Sequence, residues 1–455
     1  MRVLLLNPPN IEEPHVEAGP LPIGLVSIRE FITEQNIEVK ILNLFDIHKW
    51  SSIEHYLRLK DYSIVGIPCY TRQRLSVFKL ATLCKKINND INVVLGGPHA
   101  SCLDTQILKN VNSIDYIIRG EGELPFVELI QCLKQNELKK LFRIKNLTFR
   151  HKNHIIRNVS RKQIHDLSNF PIFKLSAKEL EMFPECESLL IHFKQLNKIK
   201  GIAPVLCSRG CSYNCQFCCN GVFWDKQIYY PVEHVIQQIE YFRNKFGIRI
   251  FDFYDDNFVF SKKYVKELCN KIIEKKLYIN WWCSGRADNL DTEILTLLGK
   301  AGCFMVSIGV ESGNNQVLKN INKKLTAEEI IRSSKSIRKC KLKLRVTLSI
   351  GHPGETPAAI NDTIEIIKEI KPDQVGLFLA KIYPCTSLYE LAKSKDLIDD
   401  NYWFSSTEKT IPFFNDKYSQ KEILLFRNKI IDSLSPYITD EYTNKVHSSE
   451  LNLSW

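Results

Sequence analysis

Short, continuously apolar runs, each followed by an amphipathic helical stretch, recur along most of this chain and constrain its fold more than any other feature. Val3–Asn7, Val39–Leu44, Ser63–Pro68, Ile91–Leu95 and Tyr116–Arg119 read as strands, with helices at Pro22–Gln35, Leu75–Lys86 and Pro125–Lys134. Strands without polar alternation are buried on both faces, so residues 1–140 are expected to form a doubly wound parallel sheet. Ligands on such sheets bind at the carboxyl ends of the strands. There the sequence places Asn7-Pro8-Pro9, Tyr70-Thr71, Gly96-Gly97-Pro98-His99 and Gly120-Glu121-Gly122-Glu123. Glycines at a strand end let backbone approach a ligand with no Cβ in the way; the plainer alternative is a set of tight turns. No GxGxxG follows the first strand, which excludes the usual dinucleotide fold.

The alternation resumes at Ala203–Leu206. Ile248–Tyr254 runs into Asp255-Asp256-Asn257-Phe258, and Ile279–Cys283 into Ser284-Gly285-Arg286. Phe304–Ile308 meets Gly309-Val310-Glu311-Ser312-Gly313, and Leu344–Ile350 meets Gly351-His352-Pro353-Gly354-Glu355-Thr356. Gln374–Ala380 precedes Tyr383-Pro384-Cys385-Thr386. Polar and glycine residues after successive parallel strands are how a (β/α) barrel presents a site. Six repeats predict a partial, open barrel over residues 201–395. Residues 141–200 read as a basic linker holding a short hairpin, Asn146–Arg150 with Ile155–Arg157, and His151 and His154 as solvated turn residues. The tail, 396–455, follows a helix at Leu388–Ser394 and is expected to be helical at Lys421–Leu434, with Trp403 and Phe404 available to cover the barrel mouth.

Composition narrows the class. With 44% hydrophobic and 25% charged residues among 455, the chain is an ordinary globular one. No apolar run is long enough to span a membrane. The N-terminus, Met1-Arg2-Val3-Leu4-Leu5-Leu6, is too short an apolar run for a signal peptide, so a cytoplasmic location is expected. The net charge of +11 is diffuse rather than striped, which argues against nucleic acid as the partner.

Fifteen cysteines, most of them scattered singly, do not suggest a disulfide framework. Cys84, Cys132, Cys269 and Cys340 fall in apolar helical patterns and read as small core residues. Cys211-xxx-Cys215-xx-Cys218, on a loop leaving a strand, is different. Three thiolates at that spacing suit three irons of a 4Fe-4S cluster, with the fourth iron left open. The alternative is a zinc knuckle with Cys207 or Cys219 as fourth ligand, but structural zinc sites usually pair two Cys-x-x-Cys hooks.

With these motifs the chain resembles the cobalamin-binding radical S-adenosylmethionine enzymes over roughly residues 1 to 395. The matching residues are Cys211, Cys215 and Cys218 with Phe217 before the last cysteine, Asp255-Asp256-x-Phe258, Gly285-Arg286, Gly309–Gly313 and Gly351-x-Pro353-Gly354-Glu355-Thr356. Upstream, Leu95-Gly96-Gly97-Pro98-His99 and Arg119-Gly120-Glu121-Gly122-Glu123 resemble the family's cobalamin signatures. The resemblance implies that the three cysteines ligate the cluster while S-adenosylmethionine chelates its open iron. It implies that backbone near Phe217 lies by the adenine, that Asp255 or Asp256 receives the ammonium, and that Arg286 and Glu311 hold carboxylate and ribose. For these last two, the alternative is a buried ion pair between strand ends. Gly96, Gly97, Gly120, Glu121 and Gly122 would border cobalamin.

Two departures stand out. Many relatives read Pro-Gly-Thr where this chain has Pro384-Cys385-Thr386. Asp46-Ile47-His48 resembles the start of a cobalt-ligating Asp-x-His-x-x-Gly motif, but Ser51 replaces the glycine and the segment follows the second strand. His48 therefore reads as a surface residue, which leaves the lower axial position unassigned. Cys207 and Cys219 read as loop packing. The resemblance implies an enzyme that methylates an unactivated carbon of a small biosynthetic substrate through a 5′-deoxyadenosyl radical, with a flavodoxin- or ferredoxin-type reductant. Cyclisation or rearrangement without methyl donation, RNA modification and a cofactor-based sensor are the rival readings.

Overall fold

Strand β1 (Arg2–Asn7) sends Val3 and Leu5 into one apolar cluster and Leu4 and Leu6 into another, as a strand covered on both faces must. The computed structural model describes residues 1–11, 21–57, 59, 61–181, 201–405, 410–414 and 416–438. The linker segment 182–200 and the end of the tail lie outside them. Strands β2 (Glu38–Asn43), β3 (Ile64–Pro68), β4 (Asn92–Gly96) and β5 (Tyr116–Ile118) run parallel to β1 in the order β2-β1-β3-β4-β5.

The expected hairpin forms as β6 (Leu147–His151) and β7 (His154–Arg157), but it does not stay in a linker. It pairs antiparallel with β5, placing Phe149 opposite Tyr116, so among the described residues the sheet has seven strands and is mixed rather than wholly parallel. Two features hold it there. Leu147 and Phe149 are buried, and the Arg150 guanidinium donates to the carbonyls of Leu108 and Val111, 2.5 and 2.7 Å away at the end of helix Asp104–Asn110. Those carbonyls lack helical partners, so a cation there satisfies acceptors as well as the helix dipole.

The second sheet is all parallel. Its strands are β8 (Ile202–Val205), β11 (Ile250–Phe253), β12 (Asn280–Gly285), β13 (Cys303–Glu311), β14 (Lys343–Ile350) and β15 (Gln374–Leu379). They lie in chain order, and among the described residues β15 does not close onto β8, which gives the open six-strand barrel. Between β8 and β11, a small antiparallel ribbon of β9 (Ser208–Arg209) and β10 (Ile228–Tyr229) brackets the cysteine loop. The helix Gln420–Leu434 is started by a Ser419–Glu422 capping box and buries Ile423, Ile430 and Leu434.

Trp403 does not cover the barrel mouth. Its carbonyl accepts from Arg74 Nε at 3.2 Å, its ring meets His99 edge-on at 5.7 Å, and Phe404 stacks on Phe78. The Arg74 side chain is buried in the first sheet's helical layer, and a buried guanidinium draws carbonyls and aromatic faces to itself. Among the described residues no helix is long and apolar enough to cross a membrane.

Candidate functional site

A cavity of about 320 Å³ lies between the carboxyl edges of the two sheets. The first sheet contributes Gly66, Tyr70, Gly96, Gly97, Gly120 and Gly122; the β9 ribbon and the loop after it contribute Ser208, Arg209 and Trp224, and the end of β11 in the second sheet contributes Tyr254 and Asp256. Three of the four glycine or polar strand ends named above therefore meet in one place. Asn7 does not: it is buried and donates to Asn43 at 2.7 Å. His48 is exposed and does not line the cavity.

The glycines play unequal parts. A Cβ on Gly96 would meet nothing closer than the Ile118 carbonyl at 3.8 Å, so this position opens onto empty space. Gly97 has φ +88°, and a Cβ there would fall 3.1 Å from the Cys69 carbonyl oxygen. Its glycine is required by the turn itself. Gly120 is likewise in the left-handed region at φ +66°. A Cβ on Gly122 would press on Ile28 at 3.0 Å. Open space before Gly96, in a cavity also lined by Gly97, Gly120 and Gly122, lets a ligand approach the backbone at these strand ends, the kind of cradle a cobalamin would use.

Glu121 lines the cavity and is also held by the chain around it. Its Oε2 accepts from the Ile164 amide at 3.1 Å and its Oε1 lies 3.5 Å from Arg209. Arg209 also reaches Glu123 at 2.8 Å and Ser27 at 3.1 Å, with its guanidinium over the Phe170 ring. This buried cation ties the strand before the cysteine loop to the first sheet. Burial pushes the Glu123 carboxyl up, but the Arg209 charge and its hydrogen bonds prevail and leave it below the ordinary value.

Cys211, Cys215 and Cys218 share the loop after β9, which is held at several points. The Gln216 amide donates to the Ile321 carbonyl at 2.9 Å, Asn322 donates to the Asn214 carbonyl at 2.7 Å, and the Leu388 amide donates to the Gln216 carbonyl at 2.9 Å. Gly210 turns the chain over the Trp224 ring at φ +80°. The three thiols are not gathered at metal-holding distances, and no group of three or more His, Cys, Asp or Glu is so gathered among the described residues. Burial pushes the Cys218 thiol up to about 12. Three thiols on one anchored loop remain the right donor set for a cluster with an open iron. Cys207 is fully buried at the end of β8, with its carbonyl accepting from the Tyr230 amide at 2.9 Å, in keeping with packing.

A chain of polar contacts leaves this loop and returns to it. Arg286 lies over the Tyr213 ring at 3.6 Å and places Nη1 3.9 Å from Cys215 Sγ, while Nη2 donates to the Lys323 carbonyl at 2.5 Å. Lys323 Nζ pairs with Glu311 Oε1 at 2.9 Å, and Ser349 donates to Glu311 Oε2 at 3.3 Å. Ser349 also bonds His352 Nε2, and the His352 ring packs on Phe217 at 5.3 Å between centroids. Arg286 and Glu311 thus have separate partners and form no pair with each other. A register shift in β13 and φ +61° turn Glu311 toward Lys323. The pair folds over Gly309, where a Cβ would meet Glu311 Oε1 at 2.5 Å.

Ser349 thus joins Glu311 to His352 Nε2, with the donor between hydroxyl and ring set by the His352 tautomer. Burial lowers the His352 pKa to about 4, so the ring is neutral at pH 7. Nδ1 is buried without a partner among the described residues.

Of the two aspartates, Asp255 is committed to structure: it accepts from the Cys207 amide at 3.2 Å and from the Ser208 hydroxyl, and burial raises it to about 7. Asp256 lines the cavity. Sequence reasoning missed Arg209, Lys323, Ser349 and His352 as members of the site. Only His352, inside a recognised motif, carried a signal.

The Radical SAM superfamily model matches residues 205–367 and the B12 binding domain model matches residues 15–130. An uncharacterized methyltransferase of Pyrococcus horikoshii is 28% identical over 411 residues, covering 89% of this chain and 85% of that one. The anaerobic magnesium-protoporphyrin IX monomethyl ester cyclase of Rubrivivax gelatinosus is 24% identical, covering 74% of this chain and 60% of its own. Among solved structures, the radical S-adenosylmethionine methyltransferase TsrM of Kitasatospora setae, with cobalamin and a [4Fe-4S] cluster bound, superposes with a TM-score of 0.72 at 18% identity, covering 87% of this chain and 75% of that one.

Proposed function

This chain belongs to the cobalamin-dependent radical SAM enzymes, and on that premise we propose that it methylates an unactivated carbon of a small molecule held between its two sheets. The family's domains imply a 4Fe-4S cluster with S-adenosylmethionine and, in the first sheet, cobalamin. When bound, these groups supply a hydrogen-abstracting radical on one side and a transferable methyl group on the other. The observation that carries the reading is the single cavity bordered by the strand ends of both sheets, since abstraction followed by methyl capture needs both groups to face one carbon.

In this reading Cys211, Cys215 and Cys218 hold the cluster, and Arg286 steadies Cys215 and the loop. His352 Nδ1 accepts from the exocyclic amine of the adenine beside Phe217, Asp256 takes the ammonium, and the Glu311–Lys323 pair orients ribose and carboxylate. The Gly96 wall admits cobalamin, and the Arg209 latch keeps the two sheets in register and excludes water. A radical SAM enzyme needs a reductant, and a net charge of +11 suits an acidic flavodoxin- or ferredoxin-type carrier.

Ring formation is the second reading, favoured by the similarity to the magnesium-protoporphyrin cyclase. One experiment separates them. Anaerobic enzyme is incubated with trideuteromethyl S-adenosylmethionine and a cell extract, and the metabolites are surveyed by mass. A metabolite that gains the labelled methyl supports methylation; a consumed metabolite with no label, alongside 5′-deoxyadenosine formation, overturns it in favour of ring formation.

A further inference from the structure

Cys385 sits where a glycine would be expected. Its φ of +66° is in the left-handed region, which disfavours any side chain with a Cβ, yet the chain keeps a thiol there. Across from it, at the end of the short helix Pro98–Cys102, lies Cys102 of the first sheet's layer. The two residues face each other reciprocally. Cys102 Sγ lies 3.4 Å from the Pro384 carbonyl oxygen, and Cys385 Sγ lies 3.7 Å from the carbonyl oxygen of Cys102. Both are partly exposed, unlike Cys69, Cys84 and Cys132 in the core. Neither belongs to the cluster motif, and no step of the proposed reaction uses either one.

We propose that Cys102 and Cys385 form a reversible dithiol–disulfide site that fastens the first sheet's layer to the loop after β15. The oxidant is a small disulfide of the glutathione class. The Cys385 thiolate attacks one sulfur of that disulfide, breaking its S–S bond and releasing one small thiolate, which takes a proton. Cys102 gives up its proton and attacks the Cys385 sulfur, releasing the second small thiol. Two protein thiols become one disulfide while one small disulfide becomes two thiols, so electrons and protons balance.

The Cys385 thiol is suited to the first attack, because the adjoining Cys102 thiol holds its pKa below the ordinary value. Cys102 is raised by the same contact and by burial, as a resolving thiol would be. The site stands on geometry that is independent of what the cavity between the sheets binds.

The test uses the cluster- and cobalamin-loaded protein, treated with oxidised glutathione, quenched with iodoacetamide and digested without reduction. The expected result is a linked peptide pair joining Cys102 to Cys385, lost on adding dithiothreitol and absent from Cys385→Ser. In Cys102→Ser, glutathione should remain attached to Cys385, because nothing resolves it. A second variant, Cys385→Gly, should unfold at a higher temperature than the reduced wild type, since it removes the left-handed strain. The proposal is overturned if both thiols stay open to iodoacetamide, or if the link formed runs through the neighbouring Cys219 instead.

Discussion

Arg209 Nη2 lies 2.8 Å from Glu123 Oε1, joining the strand that precedes the cysteine loop to the helix behind the Gly120–Gly122 turn. Both side chains are at least nine-tenths buried, so neither charge has water to fall back on. Through this pair, the element that carries the cysteine loop is fixed against the element that forms the glycine wall.

Replacing Arg209 with Met should therefore destabilise the chain by about 3–5 kcal/mol, the usual cost of stranding one member of a buried pair. Equilibrium unfolding in urea measures it. The pH dependence has a definite sign. Glu123 has a folded pKa below its unfolded value of about 4.3, so its contribution is present above that pH and is lost as the pH falls through the folded pKa. The gap between wild type and variant should narrow below about pH 4. A gap independent of pH would contradict the pairing.

Arg286 lies over Tyr213 and reaches Cys215 Sγ, so its loss should be felt first at the cluster. Arg286→Lys keeps the charge but loses the flat guanidinium and should weaken the loop by about 2 kcal/mol. Iron bound after anaerobic reconstitution should fall in this variant, as it should in Cys215→Ala, while Cys207→Ser keeps its iron. Full iron content in Arg286→Lys would show that the loop stands without this contact.

The glycine wall gives a paired test. Gly96→Val adds a side chain into open space and should block uptake of hydroxocobalamin, read from the visible spectrum, while thermal stability and iron content stay near wild type. Gly97→Val should instead lower stability, because its Cβ meets Cys69 backbone at a positive φ. If Gly96→Val took up cobalt normally, the wall would not be where cobalamin lies.

Glu311 and Lys323 act as one unit, so Glu311→Ala and Lys323→Met should weaken S-adenosylmethionine binding to cluster-loaded protein alike. A charge-assisted hydrogen bond is worth about 1.5–3 kcal/mol, or roughly ten- to a hundred-fold in affinity. Equilibrium dialysis measures it. Unchanged affinity in both variants would make the pair purely structural.

Much of this was legible in the sequence because it is local. Apolar runs without alternation placed all five parallel strands of the first sheet and all six of the second within a few residues. The cysteine spacing and the glycine strand ends are likewise local. What escaped depends on partners far along the chain. The hairpin was visible at 147–157, but its docking on β5 rests on Arg150 finding helix carbonyls about 40 residues away. Glu121 lines the cavity, but nothing near it in sequence reveals its contact with Arg209, 88 residues on. Asp255 and Asp256 are neighbours with opposite fates, decided by which one the end of β8 draws in. The separation of Arg286 from Glu311 follows from a register shift and a left-handed residue in β13, and no propensity announces either.

The central claim is that the glycine strand ends and the chain entering the cysteine loop at Ser208–Gly210 border one cavity, and spin relaxation tests it most directly. The electron-spin relaxation of cob(II)alamin is measured by electron paramagnetic resonance in protein with the cluster reduced to its paramagnetic state, and again in Cys215→Ala protein, which lacks the cluster. The account predicts markedly faster relaxation of the cobalt signal when the reduced cluster is present, because two spins facing one cavity of this size couple through space. Equal relaxation in the two samples, with cobalt and iron both fully bound in the wild type, would place the groups in separate sites and contradict it.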